Sequence, residues 1–138
     1  MDIRKLQKAV VTALEEVKAR DVEVFNVTHL SSLFDRVIIA SGESSRQCKA
    51  LGRRVEEQIK HIGGSVLSVE GGNADDSGEW VLLDLGDVVV HIMQPAVRQY
   101  YNLEELWGQP KPRKRAKHEP SRRVLDSSEA KAGWEAAA

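Results

Sequence analysis

Ser41-Gly42-Glu43-Ser44-Ser45 joins a β-rich run to a run of helical periodicity. At such a turn, backbone N–H groups can gather around a phosphate. Asp35, Asp84 and Asp87 supply carboxylates of the kind that hold magnesium in nucleotidyl transfer. That chemistry wants two acids alternating on one strand just after the Gly-Ser turn, and no Asp-x-Asp occurs in the chain. Asp87 is better explained by a hairpin turn, and Ser44 or Ser45 by a helix cap. His29, His61, His91 and His118 are scattered and, with Cys48, show no metal-ligand spacing. Cys48 falls on an apolar helical stripe and reads as core. No neighbour in sequence orients His91 as a general base. The residues therefore predict no catalytic group, metal or cofactor, and a protein that is not an enzyme. A nucleotidyltransferase-like nucleotide-binding enzyme is the alternative.

These residues sit on elements that periodicity makes legible. Ile3, Leu6, Val10, Leu14 and Val17 form one stripe, predicting a helix over 2–19 with Asp2 at its start. Residues 21–27 alternate and read as a strand, 29–34 as a turn or short helical connection, and 35–42 as a second, central strand. A second helix opens at Ser44 or Ser45, carries Cys48, Leu51, Val55, Ile59 and Ile62, and stops at Gly63-Gly64. Residues 65–71 are a third strand, 72–78 a polar loop, and 96–101 a short helix. Asn102 is a candidate cap for the turn that follows. The fold class is α/β (α+β): a mixed five-stranded sheet with helices mainly on one face. Its strand-helix-strand unit is expected to be a right-handed parallel crossover.

The stretch Gly78–Met93 reads as a hairpin closed by Gly86-Asp87, a Gly-first two-residue loop of type II′. That loop sets the register: Asp84 opposite Val89, Leu83 opposite Val90, Leu82 opposite His91, Val81 opposite Ile92, and Trp80 opposite Met93. Alternation then sorts the faces. Val81, Leu83, Leu85, Val88, Val90 and Ile92 share a wholly apolar face, assigned to the core. Trp80, Leu82, Asp84, Val89, His91 and Met93 share the other. Two long helices suffice for one face of five strands, so the second face is expected to stay open as a protein-binding patch. The alternative is that the last helix or the tail folds over it.

Charge divides the chain in two. Residues 1–108 hold 12 Lys+Arg against 17 Asp+Glu, whereas residues 109–138 hold 8 against 4. An acidic body of net −5 argues against a nucleic-acid-binding core and suits a basic protein partner. The tail, with three prolines between 109 and 123 and no aliphatic periodicity, reads as disordered; contact with RNA through it and simple solvation are equally open. A single cysteine fits a reducing compartment. With no signal-peptide pattern and no apolar run of membrane length, the expected location is the cytoplasm, with no membrane contact.

Three motifs carry a resemblance: the stretches 34–51 (FDRVIIASGESSRQCKAL), 78–93 (GEWVLLDLGDVVVHIM) and 98–108 (RQYYNLEELWG), in that order. Together they resemble the ribosomal silencing factor family, also called Iojap, over residues 1 to about 108. The resemblance implies a nucleotidyltransferase-like fold without catalytic acids. It implies binding to large-subunit ribosomal protein number fourteen, a steric block on joining of the small subunit, and damped translation under nutrient limitation, as in stationary phase. Members often form homodimers. On this chain it assigns the contact to the hairpin motif, placed by register on Trp80, Leu82, Asp84, His91 and Met93. Tyr100 and Tyr101 help complete that surface. The other role for the last motif is C-terminal packing through Tyr100, Leu103 and Leu106.

Overall fold

The apolar stripe of the first helix folds as α1 (Ile3–Glu16), and Asp2 caps it by accepting from the Arg4 N–H at 3.2 Å. The structure, a computed structural model of the chain, describes residues 2–107. The tail expected over 109–138 lies outside the described residues. After α1 come β1 (Arg20–Asn26), β2 (Arg36–Ser41), α2 (Ser45–His61), β3 (Ser68–Glu70), β4 (Trp80–Asp84), β5 (Val88–Met93), α3 (Pro95–Tyr101) and α4 (Leu103–Trp107). Ser44 caps α2, its Oγ accepting from the Gln47 N–H at 3.1 Å. The helix ends where Gly63 donates to the Lys60 carbonyl and Gly64 to that of Ile59, the paired bonds of a Schellman ending.

The sheet is mixed and five-stranded, ordered β1-β2-β5-β4-β3. β2 runs parallel to β5; the β1–β2, β4–β5 and β3–β4 pairs are antiparallel. β2 is therefore interior, but β5 is the middle strand. The crossover through α2 carries β3 past two strands to the far edge, where it runs in the same direction as β2 without touching it. The hairpin has the expected register, Trp80 to Met93 through Asp84 to Val89. At its turn Gly86 has φ +93°, a value an L side chain resists. Asp84 Oδ1 accepts from the Gly86 N–H at 2.9 Å.

The assigned core face is core. Val81, Leu83, Leu85, Val88, Val90 and Ile92 pack with Ile38 and Ala40 under Leu6, Val10 and Leu14 of α1 and Cys48, Leu51, Val55 and Ile59 of α2. Burial pushes the Cys48 thiol up to about 11, opposed by a weaker backbone hydrogen bond at Gly42. The side chain is thus an inert thiol rather than a nucleophile.

The expectation of an open second face is corrected. Leu82, Val89 and Met93 lie in a second buried cluster with Val37, Ile39, Val27, Phe34, Leu103 and Trp107. His91 is fully buried. The cover comes from short pieces: the 27–34 segment, α3 and α4. The alternative of the last helix folding over is the one the chain adopts. Long helices were not needed, because Phe34 and Trp107, large aromatic side chains, bury much apolar area from short segments, together with Val27 and Leu103. Trp107 meets Phe34 edge to face, with centroids 5.6 Å apart. Its indole N–H has no hydrogen-bond acceptor among the described residues, so its contribution is apolar.

Candidate docking surface

The residues that suggested nucleotide chemistry are not brought together. Asp35 and Asp87 precede Arg36 and Val88, which are paired in register at one end of the sheet, and Asp84 lies beside them. The Ser41–Ser45 turn leaves the opposite end of β2, about 17 Å away at strand rise. Its groups are also spent. Ser44 caps α2, and the Glu43 N–H donates to Gln47 Oε1 at 2.6 Å.

The 72–78 loop seals the same place. Lys49 Nζ donates to the carbonyls of Ala74 (3.2 Å) and Asp76 (2.6 Å). Gly78 has φ +75°, and a Cβ added there would meet the Cβ of Ser45 at 2.6 Å. Gly78→Ala is expected to cost at least about 1–2 kcal/mol from the left-handed backbone alone, measured as a lower urea midpoint. An unchanged midpoint would mean that the loop does not hold α2. Among the described residues no His/Cys/Asp/Glu group is placed to hold a metal ion, and no helix is long and apolar enough to cross a membrane.

What reaches solvent is an aromatic ladder at the Ser41 end of the sheet. Pro95 starts α3 directly after β5, and the helix lays its last residues beside Trp80, the first residue of β4. Tyr101 packs on Trp80 with ring centroids 4.8 Å apart, and Tyr100 meets Tyr101 nearly perpendicularly at 5.0 Å. Tyr100 is 81% exposed and Tyr101 45%. At the inner end, Trp80 Nε1–H donates to His91 Nδ1 at 2.9 Å. Nδ1 therefore carries no proton, and the neutral ring bears it on Nε2. Burial holds the His91 pKa far down, at about 3.

Arg98 fixes the helix that carries the tyrosines. Its side chain is 9% exposed. Nη1 donates to the Asp21 carbonyl at 2.8 Å and to Ser41 Oγ at 2.9 Å, and Nε donates to Glu104 Oε2 at 2.6 Å. Glu23 stands 3.9 Å from Nη2. One guanidinium thus ties α3 to β1, β2 and α4. Asn102, at φ +51°, closes α3 by donating its N–H to the Arg98 carbonyl.

Of the seven residues expected on the surface, the structure exposes Tyr100 and Tyr101 and half-buries Trp80 and Asp84. Leu82, His91 and Met93 are buried, and their assignment as direct contacts is corrected. The covering helices remove the middle of the face from solvent. Asp84 lies about 13 Å along β4 from Trp80, with Oδ1 committed to the turn. Arg98 was missed. A lone Arg in a short helix was the available signal, but two of its three acceptors lie 57 and 77 residues away.

Comparison with known proteins is consistent at every level. A family model described as "Ribosomal silencing factor during starvation" matches residues 1–138. The chain is 47% identical over 112 residues to the ribosomal silencing factor RsfS of Chromobacterium violaceum, covering 81% of this chain and 89% of that protein. It is 36% identical over 100 residues to the chloroplastic protein Iojap of Zea mays, covering 72% of this chain and 42% of that one. A crystal structure of a Chromobacterium violaceum protein superposes with a TM-score of 0.75 at 47% identity, over 81% of this chain and 91% of the other.

Proposed function

This chain belongs to the ribosomal silencing factor family, and from that premise we propose that it damps translation by occupying the large ribosomal subunit. In this reading it docks on large-subunit protein number fourteen and sterically blocks joining of the small subunit when nutrients are scarce. It works in the cytoplasm, without catalysis, and homodimers form part of its solution population. The matching family model and the Chromobacterium violaceum relative carry the name of a silencing factor.

The observation that carries the docking site is the ladder of Tyr100, Tyr101 and Trp80. Exposed tyrosines held by ring contacts are preorganised, so little side-chain entropy is lost on binding. Aromatic anchors are enriched among residues that dominate interfaces. The acidic body around them suits a basic ribosomal protein. The basic tail adds a contact with ribosomal RNA that is sensitive to salt.

Tyr100→Ala tests the site more cleanly than a change at Trp80, whose indole is tied into the fold. Because Tyr100 is so exposed, stability should move by less than about 0.5 kcal/mol. Co-sedimentation with purified large subunits should weaken by about tenfold or more, the loss typical of an interface anchor. Unaltered co-sedimentation of both Tyr100→Ala and Tyr101→Ala would remove the ladder from the interface. Loss of ribosome association on deleting residues 109–138 alone would move the site to the tail.

A further inference from the structure

Trp80 is the hinge between the exposed tyrosines and the core. On its outer side it touches Tyr101, with centroids 4.8 Å apart. On its inner side its one polar atom is satisfied by His91 Nδ1 at 2.9 Å, with the two rings 5.7 Å apart. The residues are register neighbours: Trp80 pairs with Met93 and Leu82 with His91, so the imidazole lies one step along the same face. His91 is 0% exposed and cannot touch a partner. Leu82, Val89 and Met93 on the same face are apolar, and among them the imidazole turns Nδ1 to the indole N–H. An acceptor at this spot selects a single orientation of the Trp80 indole, which an apolar residue does not.

We infer that His91 is a positioning residue for docking, which aims the Tyr100–Tyr101–Trp80 ladder through the Trp80 N–H. This rests on the reading of the ladder as the docking surface. An indole without its acceptor has other rotamers open to it, and Tyr101 follows the ring on which it packs. The partner then meets a population of ladder geometries, and apparent affinity falls by the fraction that is competent.

The test uses the full chain and purified large subunits. His91→Leu removes the acceptor at similar volume; His91→Asn keeps an acceptor atom where Nδ1 stands. Trp80→Phe removes the donor while leaving His91 in place. In His91→Leu, the Trp80 indole N–H resonance should shift and exchange faster with solvent, and large-subunit binding should weaken about tenfold. His91→Asn should restore most of that binding. Trp80→Phe should lose at least as much as His91→Leu, since it also trims the ring under Tyr101, and the double variant should lose no more than Trp80→Phe, because both changes remove the same Trp80–His91 bond.

Native binding by His91→Leu with a shifted indole resonance overturns the inference, as does additive loss in the double variant. Equal loss in His91→Asn and His91→Leu, tracking a drop in melting temperature, also overturns it, because that pattern is purely structural. If Tyr100→Ala binds natively as well, the docking reading itself has failed; if only the His91 variants do, the ladder stands and the positioning role falls.

Discussion

Replacing Arg98 with methionine is expected to cost about 3–5 kcal/mol of folding stability, the range seen when one partner of a buried ion pair is removed. Methionine keeps the length and apolar stem, so the loss reports the guanidinium. Without it, Glu104 keeps a partly buried charge with no cation, and the Asp21 carbonyl and Ser41 Oγ lose their donor. Beside the 27–34 segment, the described cover of the second face is two short helices, of seven and five residues. Helices of that length do not persist alone in water, so α3 and α4 depend on their tertiary ties. Arg98→Met should therefore lower the urea midpoint, expose apolar surface to a hydrophobic dye, and abolish large-subunit binding as Tyr100 and Tyr101 lose their platform. Arg98→Lys, which keeps the charge but not the fork, should recover part of the stability. A midpoint within about 0.5 kcal/mol of the unaltered chain would show that apolar contacts alone hold the cover.

Acid should destabilise the protein through His91. Its pKa falls from 6.5 to about 3 because burial penalises the charged ring. Above the unfolded value neither state is protonated, and the residue makes no pH-dependent contribution. Below it the unfolded chain takes up a proton that the folded chain cannot, so stability declines by about 1.4 kcal/mol per pH unit. The decline continues until the folded value is reached, for a total on the order of 4–5 kcal/mol. Between pH 7 and pH 4 the unaltered protein should lose about 3 kcal/mol more than His91→Asn, as read from paired urea titrations. Parallel losses in the two proteins would show that the imidazole is hydrated. The neutral ring is the form that accepts from Trp80, so within this window the indole bond should persist in folded molecules and be lost only in those that unfold.

Local chemistry by itself determined much of this molecule. Asp2 and Ser44 cap their helices because a short polar side chain can reach an N–H two or three residues on. The hairpin register followed from one Gly-first turn, because a strand's period of two leaves no freedom once one pair is set. The face from Val81 to Ile92 was recognisable as core because no alternating polar group offers it water. Family membership was carried by three motifs in order, and the lack of paired acids was a matter of reading residues.

Tertiary structure decided the rest. A face bearing Trp, Asp and His among apolar neighbours is balanced between water and burial, and the balance was tipped by Phe34, Leu103 and Trp107, which lie outside the hairpin. Periodicity reports what one element wants and not what arrives to cover it. Asp35 is kept from the Ser41 turn by the length of β2 itself, whereas Asp87 and Asp84 were put at the far end by strand pairing, β2 parallel to β5 and β5 antiparallel to β4. The buried acceptor behind Trp80 and the buried cation behind Tyr100 exist only once strands and helices are in place. Hydrogen bonds across 11, 57 and 77 residues of chain have no local signature, because loop closure brings their partners together and sequence spacing does not.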